Sequence, residues 1–129
     1  MITWIKNKAT IMKNIILEKA YSFAVNSVLI AKNIQESKNE YILTRQLIRC
    51  STSIGANITE SQAAESRKDF IHKLKIALKE ALECRYWLNL LKDTNYLSEE
   101  VGGNSIAQLT EIIKMLIAII NRTRINMEE

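Results

Sequence analysis

"LTRQLIRCSTSIGANI", residues 43–58, places Leu43, Leu47, Cys50, Ile54 and Ile58 at successive intervals of three and four. That spacing stacks the five side chains on one side of an α-helix and would scatter them over both faces of a strand. Such a stripe is the seam by which one helix packs on another in a bundle. Between the seam positions stand Ser51, Thr52, Ser53, Gly55 and Ala56, all small enough to let a neighbouring backbone come close. Gly55 therefore reads as a packing glycine.

Working outward, three further segments carry the same period. A first helix over 14–36 has Leu17, Tyr21, Ala24, Val28 and Ala31 on one stripe and Ile16, Ala20, Phe23, Ile30 and Ile34 on the next, a wide apolar face. Ser37-Lys38-Asn39-Glu40 has the form of a capping box, so the second helix is predicted to start there and run to about residue 62. Ser66-Arg67-Lys68-Asp69 repeats the form and opens a third helix to Asp93, with Phe70, Leu74, Ala77, Ala81, Cys84, Leu88 and Leu91 as its seam. Asp69 also suits the positive end of that helix's dipole.

Ser98 can cap a fourth helix, but Gly102 and Gly103 disfavour helix by about 1 kcal/mol each, which predicts a frayed or broken first turn before a firm segment over 104–126. Its seam is Ile106, Leu109, Ile113, Leu116 and Ile120. A second row, Ile112, Met115 and Ile119, lies beside it and exceeds what one bundle core needs. With the wide face of the first helix, this predicts a homo-oligomer.

Composition agrees with an all-α protein. The 129 residues suffice for one domain burying about two-thirds of its unfolded surface. There is no proline and only three glycines, while hydrophobic residues reach 47%, which argues against disorder. Cys50 and Cys84 both fall on seams and are expected as reduced, buried thiols of a cytoplasmic protein. No amino-terminal apolar run has signal-peptide or membrane-span length, and "IIKMLIAII" (112–120) is too short for a bilayer. The net charge of +4 lies wholly in residues 1–64, which hold 8 Lys and Arg against 4 Glu, while residues 65–129 hold 10 against 10. That bias suits a polyanion such as RNA, and equally suits ordinary solvated faces.

The inventory for chemistry is thin. Asn57 and Glu60 share a face of the second helix; Glu80 and Glu83 repeat the spacing on the third, so these four are read as one polar cluster that fixes helix register or a subunit contact. A di-iron bundle needs two Glu-x-x-His pairs, and His72 is the only histidine, preceded at three by Asp69. It is read as a surface residue near a helix start. No nucleophile with a base, phosphate loop or Cys/His pair is present, so no enzymatic activity, metal or cofactor is expected.

"QLIRCSTSIGANITES" (46–61), "SRKDFIHKLKIALKEALECRYWLNLLKDTNYL" (66–97) and the apolar fourth helix together resemble the bacterial four-helix-bundle proteins encoded in intervening sequences of large-subunit ribosomal RNA genes. The likeness spans about residues 12–125. It rests on Gln46, Arg49, Ser53, Ile54, Asn57 and Glu60 taken with Lys68, Asp69, Phe70, Ala77, Lys79, Glu80, Glu83, Tyr86, Trp87 and Leu88. It implies an antiparallel up-down-up-down four-helix bundle over 12–129 after an extension at 1–11, with Met12 as an alternative start. It further implies a ring, typically a pentamer, and kinship with the nucleic-acid-binding accessory protein of diversity-generating retroelements. The chain departs from the family pattern at Ser61, Gln62-Ala63-Ala64, Cys84 and Gly102-Gly103.

Two functions follow. The first is a non-enzymatic, homo-oligomeric, RNA-associated protein in which Arg45, Arg49, Arg67, Lys68, Lys73 and Lys75 contact phosphates. The second is a protein-interaction scaffold whose polar cluster sets the subunit arrangement. Basic residues gathered on one rim favour the first; scattered or carboxylate-paired ones favour the second.

Overall fold

A computed structural model describes the backbone of residues 8–128 and the side chains of residues 14–126. It contains four helices: α1 (Lys8–Lys38), α2 (Ile42–Ser61), α3 (Arg67–Asp93) and α4 (Glu99–Glu128). Of the expected extension, residues 1–7 lie outside the described residues, and α1 begins at Lys8. Each helix packs on its neighbour in sequence and α4 returns to α1, so the four form a bundle around one core. Gln35 Nε2 donates to Thr44 Oγ1 at 3.0 Å while Ala20 lies beside Gly55. Asn26 meets Gln108, and one turn or two away Lys19 pairs with Glu111. Residue numbers rise on one helix as they fall on the next, as short links between antiparallel neighbours require.

The seams pack as their period dictates. Leu47, Cys50, Ile54 and Ile58 of α2 and all seven seam residues of α3 are buried, while Leu43 and Ile106 are half-buried at the margins. Gly55 stands where an added methyl would meet the Ala20 methyl at 3.8 Å, an ordinary contact, so α1 and α2 approach closely there without excluding alanine.

Three expectations are corrected. First, α2 is not capped by Ser37, which lies inside α1 and donates to the Asn33 carbonyl at 2.7 Å. α1 continues to Lys38 and stops where Asn39 turns left-handed (φ 51°), with its amide on the Gln35 carbonyl. The α2 cap is Glu40 instead. Its carboxylate accepts the amides of Ile42, Leu43 and Thr44 at 3.0, 2.8 and 2.9 Å.

Partial burial raises the Glu40 pKa, but the amides of Leu43, Thr44 and Ile42 and the Thr44 hydroxyl together hold it below the usual carboxylate range. A depressed folded pKa contributes stability that is present above the unfolded value of about 4.3 and lost as pH falls through the folded one. Glu40→Gln should therefore lower stability by about 1 kcal/mol near neutrality and less below pH ~4, read from urea midpoints across pH.

Second, α4 runs unbroken through Gly102 and Gly103. Ser98 Oγ accepts the Val101 amide at 3.1 Å, and Glu99 and Glu100 sit at the positive end of the dipole. Gly102 is buried under the Lys92 side chain, where a Cβ would stand 3.0 Å from Lys92 Cγ, so the close pass over α3 favours glycine there. Gly103 faces open space. Gly103→Ala should thus stabilise the helix by about 1 kcal/mol, visible as a raised urea midpoint.

Third, the second apolar row of α4 is not surplus: Ile112 and Ile119 are 1% and 3% exposed within a single chain. Wedged between α3 and α1, α4 buries two adjacent rows. By length and composition α4 could cross a bilayer, yet Leu109, Ile112, Ile113, Leu116, Ile119 and Ile120 belong to the core of the bundle. On α1 the large apolar side chains Tyr21, Val25 and Leu29 are left exposed.

The α3–α4 corner is fixed from outside. Asn95 takes a left-handed φ of 67°, and the amides of Asn95 and Tyr96 close back on the carbonyls of Lys92 and Leu91, a Schellman ending. Lys38 of α1 donates to the Asn95 carbonyl at 2.8 Å and lies 5.8 Å from the Tyr96 ring centre.

Candidate nucleic-acid interface

Ser66 Oγ accepts the Asp69 amide at 3.0 Å and starts α3 where the capping pattern places it. From that start the apolar seam faces inward, and the opposite face is fixed by the same period: Lys68, His72, Lys75, Lys79, Leu82 and Tyr86 recur at three and four. All six are exposed. Among the described residues, no ion pair engages Lys68, His72, Lys75 or Lys79. The row of cations extends about 16 Å along the axis at 1.5 Å per residue.

The six phosphate-contact residues read from the sequence do not gather into one patch. Lys68 and Lys75 belong to the row, while Lys73 is half-buried on the flank of α3. Arg67 donates to the Asn126 carbonyl at 2.7 Å and so ties α3 to the last turn of α4. Arg45, exposed on α2, lies 5.9 Å from the Tyr41 ring centre. Arg49 is engaged on every side: Nε with Gln46 at 3.3 Å, Nη1 with Glu80 at 3.2 Å and Nη2 with Glu83. Lys79 is not among the six, yet it stands four residues beyond Lys75 on the same exposed face, opposite the seam.

The polar cluster also assembles differently. Glu80 and Glu83 meet Arg49, and Glu83 also accepts Trp87 Nε1 at 3.2 Å. Asn57 turns back on its own helix, donating to the Ser53 carbonyl at 2.8 Å, and Glu60 is exposed and bonded to none of the other three. The reason is register. Arg49 and Cys50 lie level with Glu83 and Cys84, so residues two or three turns further along α2 face the beginning of α3.

Little else offers chemistry. Cys50 and Cys84 are free and buried, and the hydrogen bond to Cys50, with burial after it, pushes the Cys84 thiol far above the ordinary range. No group of three His, Cys, Asp or Glu able to hold a metal occurs among the described residues.

Against known proteins, the family described as 23S rRNA-intervening sequence protein matches residues 12–118. The chain belongs to that family. A solved structure from Bacteroides thetaiotaomicron, described as a protein of unknown function from the S23 ribosomal protein family, is 44% identical. The similarity covers 85% of this chain and 98% of that one, with a TM-score of 0.84. No curated protein matches. Membership of the 23S rRNA-intervening sequence family agrees with the four-helix architecture described above.

Proposed function

We propose that this member of the family is a non-enzymatic, cytoplasmic homo-oligomer that binds structured RNA through the α3 row. The observation that carries the reading is the alignment of Lys68, His72, Lys75 and Lys79 on one exposed face with no carboxylate among the described residues paired to any of them. Lysines so placed attract phosphate oxygens without reading bases, so affinity depends on counterion release and on the shape of the RNA. The family's description, which names the 23S rRNA intervening sequence, makes ribosomal RNA the first RNA to try.

Homo-oligomerisation is supported by the exposed Tyr21, Val25 and Leu29 of α1. Beside them runs an apolar groove of about 270 Å³ lined by Leu17, Tyr21, Ala24, Thr52, Gly55 and Thr59. A ring of five is the assembly that the resemblance implies. The scaffold reading keeps two observations in its favour: the six basic residues expected on phosphate are scattered over the surface, and one of them, Arg49, is paired with Glu80 and Glu83.

Affinity for a structured 23S rRNA fragment and for an unrelated RNA of equal length, measured across a salt series, tests the proposal. Binding should fall steeply with salt. Replacing Lys68, Lys75 and Lys79 together by alanine should weaken it by roughly 10- to 100-fold near physiological salt and flatten the slope by about 2, with the melting temperature unchanged. Unchanged affinity in the triple variant overturns the assignment, and absence of binding by the wild type at physiological salt leaves the scaffold.

A further inference from the structure

Tyr86 ends the basic row and is 62% exposed. A tyrosine on a core-packed helix usually lays its ring against a neighbour and lets only the hydroxyl reach water. Here the contact is edge-on: the Tyr86 and Trp87 rings stand 5.1 Å apart at 81°. Trp87 is itself held, since Nε1 donates to Glu83, which is gripped by Arg49. Arg49, Glu83 and Trp87 thus form a chain of contacts from two helices that ends on the edge of the Tyr86 ring, while most of Tyr86 stays open to solvent.

The surroundings suit a nucleic acid. Lys79 lies two turns before Tyr86, about 10 Å along the axis, and Leu82, 44% exposed, fills the turn between them. The carboxylates nearest this end of the row, Glu80 and Glu83, both face the Arg49 guanidinium, which offsets one of their two charges. That gives the Arg49 pairings a second consequence: they hold the aromatic contact and quiet the field around it.

We propose that Tyr86 is a stacking platform for an unpaired base, so that the preferred RNA is a helix running out into single strand, its paired part along Lys68, Lys75 and Lys79 and its first free bases on Tyr86. The inference rests on the RNA reading of the same face. Bases inside an A-form helix are stacked on one another and closed to a side chain, whereas splayed bases are open to aromatic stacking of any sequence. A ring already held in place loses little freedom when a base settles on it.

The test compares a blunt RNA stem with the same stem carrying a single-stranded uridine tail, by fluorescence anisotropy at fixed salt. The tailed stem should bind the wild type about tenfold more tightly, a typical contribution from one stacked base. Tyr86→Ala should remove that preference, leave the blunt stem's affinity unchanged and leave the salt slope of both unchanged, because no charge is lost. Tyr86→Phe should keep it. Equal affinity of the wild type for both RNAs, or a preference that survives Tyr86→Ala, overturns the stacking role while the lysine row stands. Binding of neither RNA overturns both readings.

Discussion

Shortening Ile54 to alanine should lower stability by about 3 kcal/mol, read as a drop in the urea midpoint at unchanged slope and fixed protomer concentration. Ile54 is 0% exposed, between Cys50 and Ile58 on a seam where both are equally closed to water. The lost transfer energy of the deleted carbons explains only part of the effect. The rest depends on whether the hole can close. Next to Ile54 along α2, Gly55 faces Ala20 and Cys50 faces Cys84, side chains too short to swing into the space. A loss below about 1 kcal/mol would mean that α1 and α3 slide inward, and the packing at Gly55 would then be a soft contact.

The seams were legible because period is a local property. A residue at every third or fourth position must share a helix face whatever the rest of the chain does, and the seven α3 positions from Phe70 to Leu91 packed accordingly. Caps were legible only where one chemistry was available. Ser66 had no rival and caps α3, but Ser37 and Glu40 both offered oxygen acceptors, and Asn39's left-handed turn, which no period encodes, gave the role to Glu40. Propensity treats a helix in isolation and so misses Gly102, which lies under Lys92, while Gly103 in open space carries only its local cost within a helix that continues.

The candidate site was the least legible part. Asn57, Glu60, Glu80 and Glu83 share spacings along the chain, yet pairing across α2 and α3 depends on how far one helix is displaced along the other. The sequence holds no direct measure of that displacement. Charge alone makes Arg49 a phosphate contact, whereas its partnership with Glu80 and Glu83 exists only in three dimensions. The lysine row, by contrast, is a consequence of the α3 period and could have been found by asking which residues stand opposite the seam.

Placing glutamates at Tyr21 and Leu29 together should break the proposed homo-oligomer into protomers that stay helical. Tyr21, Val25 and Leu29 follow one another at intervals of four and are 73%, 41% and 58% exposed, a ridge of large apolar side chains that a lone protomer leaves in water. Covering such side chains contributes about 25 cal/mol per Å² of apolar area, whereas closing a partner over two unpaired carboxylates costs several kcal/mol. Association should therefore weaken by at least about a thousandfold, seen by light scattering as a fall to protomer mass. Both substitutions point outward, so circular dichroism should keep its helical signal.

A wild type that already has protomer mass would overturn oligomerisation itself, and a variant that stays assembled would move the contact to another surface, with exposed Ile117 and Ile125 of α4 next in line. The outcome also bears on RNA. Three lysines and one histidine make a weak site alone, but a closed assembly repeats the α3 row, and linked sites bind more tightly than any single one. If the row is used in that way, the dissociated variant should lose RNA affinity with every residue of α3 intact, which ties the apolar ridge of one helix to the charge of another.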